Sequence, residues 1–166
     1  MSTCEVFILS LKKWIKISNL NLQDFGITSF YFAPNLLFSF TGHGNQIEKL
    51  NIDNKSNKWQ IVQTRHSYSR PYGSAFQLNK NEVLIFGGNK IKGKYSVIIF
   101  NVNSLKIKKL KTRFCKNYLF IGSKPAYFNG SITIISKFNL DTDHKMVNIN
   151  LLNLNFQETY VDFPKI

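Results

Sequence analysis

The chain repeats itself, and that feature constrains its fold more than any other. Residues 73–88, GSAFQLNKNEVLIFGG, overlay residues 122–137, GSKPAYFNGSITIISK, at an offset of 49 positions without a gap. A further copy, ITSFYFAPNLLFSFTG at residues 27–42, ends 46 positions before the middle one, setting Phe40 against Phe86 and Gly42 against Gly88. Each copy is followed by two more short apolar stretches: IEKLNID and KWQIV, then SVIIFNVN and KIKKL, then MVNINLLN and NFQETYVDF. Apolar residues within these stretches recur near period two and are rich in Val, Ile, Phe and Tyr, the pattern of strands. Turn residues separate them at Pro34-Asn35, Asn79 to Asn81 and Asn129-Gly130. Helical spacing with caps is absent, so the chain reads as all-β, with four strands per unit.

A unit of 46 to 50 residues holding four strands has the length of a propeller blade. Repetition has a physical purpose, because one four-stranded sheet has two faces that each need an apolar neighbour, and stacking units buries both. The start of the chain fits this scheme as a partial unit. EVFILSL and KKWIKIS (residues 5–18) match the third and fourth strands, with Trp14 standing 45 positions before Trp59, each after a lysine. The expected units are 5–18 as half a blade and 25–64, 72–112 and 119–163 as whole ones. Buried positions are expected at Phe30, Phe38, Phe40, Phe76, Leu84, Phe86, Val97, Ile99, Ile132 and Ile134, alternating with outward residues along their strands.

These residues resemble the kelch repeat of the galactose oxidase-like propellers. The middle copy carries the likeness best: Arg70-Pro71-Tyr72-Gly73-Ser74 precedes strand one, VLIFGG closes strand two on Gly87-Gly88, and residues 95–100 form strand three. The other copies depart from it, with Gly42-His43-Gly44 and Ser136-Lys137 in place of the double glycine, and Ile107 standing roughly where the family has tryptophan. The resemblance implies a kelch-like β-propeller segment of about three and a half blades, an incomplete ring. Three explanations stand open: a piece of a longer product, a ring completed by another chain, or a ring shared by two copies.

Composition excludes several classes. The 43% hydrophobic content, with 15 Phe and 7 Tyr, argues against disorder despite a net charge of +13. The longest uninterrupted apolar runs, such as residues 6–9 and 97–100, are far short of the ~20 residues that cross a bilayer. Cys4 and Cys115 form no C-x-x-C pair, and a reduced, cytoplasmic chain is the expectation. Lysine supplies nearly all of the positive charge, spread along the chain and accompanied by many asparagines, as in an AT-rich coding sequence. Nucleic acid is therefore not expected as a partner.

In a propeller of this type the loops from strand four to the next strand one, and from strand two to strand three, share a face. Here they are residues 18–24, 63–72 and 110–117, and residues 42–45, 87–94 and 137–144. They gather Arg65, His66, Tyr68, Arg70, Tyr72, Lys90, Lys92 and Arg113, which hold all three arginines of the chain. Guanidinium forks pair with carboxylates and tyrosines supply rigid contact area, so these residues are the candidate site for a protein partner, an acidic peptide in particular. Against this stands the plain alternative that Arg70 belongs to the repeat and the lysines are a solvated rim. His43, His66 and His144 show no ligand spacing, so no metal and no cofactor are expected. With nine acidic residues and no nucleophile elbow or P-loop, the expected function is a non-catalytic protein-binding or scaffold module. The alternative is a structural subunit whose open propeller edge is completed by another chain or a second copy; a fragment of a kelch-type enzyme ranks last.

Overall fold

In the computed structural model the described residues are 4–21, 27–32, 34–40, 46–53, 58–62, 73–87, 97–110, 118–119, 125–138, 143–153 and 155–161. They form an all-β chain of four antiparallel sheets. A hairpin of β1 (Cys4–Ile8) and β2 (Lys13–Ile17) is joined by a single 3-10 turn, Leu9–Leu11, that ends on Lys12 with a left-handed φ of 47°. The first four-stranded sheet runs β3 (Thr28–Phe32), β4 (Leu36–Phe40), β5 (Ile47–Asn51), β6 (Gln60–Val62) in chain order. The middle sheet repeats that order with β7 (Gly73–Gln77), β8 (Glu82–Gly87), β9 (Ile98–Asn101) and β10 (Ile107–Lys109).

The last sheet departs from the four strands expected per unit. Both β11 (Tyr118–Leu119) and β12 (Ala126–Phe128) pair with β13 (Ser131–Phe138), which continues through β14 (Asp143–Asn150) to β15 (Phe156–Val161). β13 is eight residues long, so one end pairs with β11 through residues 137 and 138 while the other pairs with β12 through residues 131 to 133. A long second strand thus accommodates two short first strands. Among the described residues every sheet is open, its edge strands paired on one side only.

The repeat is visible in the turns as well as in the strands. The third strand of each whole unit ends on asparagine: Asn51, Asn101 and Asn150. Each folds its carboxamide onto the chain that follows, accepting from the backbone N–H of Asp53 (2.9 Å), Ser104 (2.9 Å) and Leu152 (2.9 Å). Such side-chain turns are what short carboxamides do best. The next residue then ties the two turns of its sheet together: Ile52 donates to the Asn35 carbonyl, Val102 to Asn81 and Leu151 to Gly130, at 2.9, 2.9 and 3.0 Å. Asparagine abundance therefore has a structural use that codon bias alone does not explain.

Two apolar clusters stack the three sheets. Phe32, Phe38, Phe40, Ile47 and Val62 of the first sheet meet Val83, Ile85, Ile98 and Phe100 of the middle one. On the reverse side Leu84, Phe86, Val97 and Ile99 meet Ile132, Ile134, Val147 and Ile149 of the last sheet. Phe100 is the hub of the first cluster, edge-on to Phe38 at 5.5 Å and Phe40 at 5.2 Å. The expectation that buried residues alternate with outward ones therefore fails for the middle sheet. Residues 83–86 and 97–100 are buried without interruption, because that sheet has a neighbour on both faces and every side chain finds one. Phe30 and Phe76, expected in the core, are only partly buried and pack at the cluster margins.

Candidate docking site at the open end

The hairpin is held to the first sheet by a small polar clasp. Its inward side chains, Cys4, Val6 and Ile17, are half-buried and line a groove of ≈ 320 Å³ with Leu20, Leu37, Ser39 and Trp59. From β2 the chain runs along the far end of the first sheet. There the Trp59 indole Nε1–H donates to the Ser18 carbonyl at 2.9 Å. The Asn21 backbone N–H donates to Glu48 Oε2 at 2.8 Å, and its Nδ2 donates to the same oxygen at 3.0 Å and to the Trp59 carbonyl at 2.8 Å. Glu48 is fully buried, a location a carboxylate tolerates only with good donors. Three N–H groups and one indole thus lock the exit of the hairpin onto β5 and β6.

The opposite face of the hairpin is open. Phe7 and Trp14 lie against each other with ring centroids 5.2 Å apart, and are 40% and 61% exposed. Leu9 and Leu11 in the turn are 82% and 64% exposed, and Lys12, Lys13 and Lys16 are exposed beside them. Single exposed apolar residues are ordinary, whereas a contiguous cluster of this size marks an interaction surface. The free edge of β1 adds main-chain hydrogen-bonding groups to it, since among the described residues β1 pairs only with β2.

The partner-binding residues singled out from the sequence fall outside what the structure describes. Arg65, His66, Tyr68, Arg70, Tyr72, Lys90, Lys92 and Arg113 all lie outside the described residues, as do His43 and Cys115. His144 stands in β14, its Cα opposite Lys137 and Val161. Cys4 is a free, half-buried thiol lining the groove. No group of three His, Cys, Asp or Glu placed to hold a metal occurs among the described residues. Among the described residues no helix is long and apolar enough to cross a membrane. The clasp residues Asn21 and Glu48 escaped sequence reasoning; only the tryptophan spacing pointed toward Trp59.

No protein-family model matches the chain, and no curated protein matches it. Among solved structures the chain is similar to that of YjhT, with a TM-score of 0.68 at 10% sequence identity, covering 88% of this chain and 54% of that one. At that identity the likeness speaks to fold alone, and the chain spans about half the length of the structure it matches.

Proposed function

We propose that this chain is a non-catalytic protein-binding segment of kelch-like propeller type, and that its principal interaction surface is the outer face of the β1–β2 hairpin. Three observations support the propeller reading: the units repeat in sequence, their turns repeat in hydrogen bonding, and the middle sheet is covered on both faces by its neighbours. The observation that carries the functional reading is the exposed apolar cluster of Phe7, Leu9, Leu11 and Trp14. Its occupant is a further β-sheet of the same kind, because that is what covers each face of the middle sheet. The test is solution mass by light scattering on a size-exclusion column. The chain is expected to associate with rising concentration, and Leu9→Lys with Trp14→Lys to abolish association while leaving the circular dichroism unchanged. A chain that stays monomeric up to its solubility limit, or an association indifferent to both substitutions, overturns the reading.

A second reading rests on the charge of +13: the loops carrying Arg65, Tyr68, Arg70, Lys90 and Arg113 take an acidic peptide. Charge of this kind acts mainly on association rate and salt dependence. A polyglutamate-containing peptide is expected to bind the chain with a steep loss on added salt, and Arg65→Glu with Arg113→Glu to remove that binding. Unchanged binding by the folded double variant rejects this site.

A further inference from the structure

The clasp that anchors the hairpin has a counterpart on the hairpin itself. In the first sheet Ile47 opposes Val62 and Glu48 opposes Ile61; in the hairpin Cys4 opposes Ile17 and Glu5 opposes Lys16. Setting Trp14 against Trp59 aligns Lys16 with Ile61 and Ile17 with Val62. The strand partners then align Glu5 with Glu48, and, two residues on, Phe7 with Leu50. The acid and the tryptophan thus recur at the same register. They also recur on one strand face: Glu5 and Phe7 are exposed between half-buried Cys4, Val6 and Ile8 and stand opposite Lys16 and Trp14, Glu5 also lining the groove, while Glu48 and Leu50 stand opposite Ser39 and Leu37, which line the groove beneath the hairpin.

The recurrence is not general strand chemistry. In the middle sheet Lys109 opposes Ile98 and Leu110 donates to the Val97 carbonyl, which aligns Ile98 with Glu48, and Ile98 is packed in the apolar cluster. Among the described third strands the acid stands at this register only in β1 and β5, with Ile98 and Val147 at the equivalent positions of β9 and β14. What differs is occupancy: Glu48 is fully buried and Trp59 is 9% exposed, against 61% for Trp14.

Resting on the proposed docking role of the hairpin face, we propose that Glu5 and Trp14 form a second cradle that takes an asparagine-bearing segment leaving the fourth strand of an adjoining β-sheet. The incoming asparagine donates its backbone N–H and carboxamide to the Glu5 carboxylate and its carboxamide also to the Trp14 carbonyl. The Trp14 indole N–H donates to the carbonyl three residues earlier. The partner is thereby defined by chemistry: an extended segment with a free carbonyl and, three positions on, a carboxamide donor, as in Ser18 to Asn21.

The probe is a second copy of residues 4–46 of this chain inserted before Cys4, with Trp14→Phe in the added copy so that only the original Trp14 and Trp59 report. Tethering holds the added segment at high effective concentration. The expected result is a blue-shifted emission and a several-fold drop in acrylamide quenching of Trp14, both reversed by Asn21→Ala in the added copy and by Glu5→Ala in the original. Protection of Trp14 that ignores both substitutions overturns the cradle while leaving the docking face in place. Unprotected Trp14 in a folded extended chain overturns both. Should the extended chain misfold by circular dichroism, the synthetic peptide of residues 16–21 titrated into the original chain reads the same contact. A saturable blue shift that its Asn21→Ala version lacks supports the cradle, and unchanged emission overturns it.

Discussion

Replacing Asn21 by alanine is expected to loosen the hairpin's attachment to the first sheet without touching the two sheet-to-sheet clusters. The side chain makes two bonds, one to the carboxylate of buried Glu48 and one to the Trp59 carbonyl. A hydrogen bond to a charged group contributes about 1.5–3 kcal/mol and a neutral one about 0.5–1.5 kcal/mol, so their joint loss costs about 2–4.5 kcal/mol. Glu48 keeps the Asn21 backbone N–H, which places the value near the lower half of that range, about 2–3 kcal/mol. The loss is local, because neither sheet-to-sheet cluster contains Asn21. At about 1.4 kcal/mol per tenfold, hairpin opening becomes about 30- to 140-fold more frequent. Amide hydrogen exchange reads this directly: β1 and β2 amides exchange faster by that factor, and the amides of β8 and β9 keep their rates. An acceleration below about threefold, or an equal acceleration in β8 and β9, refutes the clasp as the hairpin's anchor. Asn21→Asp is expected to be worse than alanine, since it sets a second carboxylate beside a buried one.

Other substitutions test the stacking and the turns. Phe100→Ala opens a hole at the hub of the first cluster and is expected to cost about 3–5 kcal/mol, with Phe100→Leu keeping most of that, both read as shifts in the urea midpoint. Gly130 has φ +73° with open space around it, so Gly130→Ala costs about 1 kcal/mol from backbone strain alone; a neutral result by thermal melting shows that the turn relaxes. Asn101→Ala removes the acceptor used by the N–H groups of Asn103 and Ser104 and is expected to lower stability by about 1 kcal/mol, without changing the urea m-value.

The strand plan was legible because two signals agreed. Period-two apolar runs mark strands, and self-similarity marks which strands correspond, so the existence and order of β3 to β10 follow from the residues alone. Burial was legible only in part. A run such as residues 83–86 reads as a strand either way; whether its odd and even positions both meet apolar neighbours depends on what lies above and below, which no local pattern encodes. The split first strand of the last sheet was hidden for a related reason: β11 is two residues long and gains its definition from the overhang of β13. The asparagines at positions 51, 101 and 150 carried a periodic signal, spaced 50 and 49 apart, which composition had masked as a coding bias. The candidate loop residues were chosen from charge and topology, and the described residues do not include them.

For the docking end, sequence alone determined the parts. It set tryptophans at 14 and 59, each after a lysine, at corresponding places of the repeat, and it supplied Glu5, Asn21 and Glu48 in the chain. Tertiary structure decided their roles. Trp14 lies in β2 and Trp59 stands immediately before β6, yet one is exposed and the other buried, because burial depends on whether a neighbouring sheet lies against that face. Glu48 keeps its place in the interior because Asn21, 27 positions away, folds back onto it. Short-range preferences select strands and turns residue by residue, whereas partners for a buried carboxylate or an indole come from whatever the stacking of sheets brings within reach.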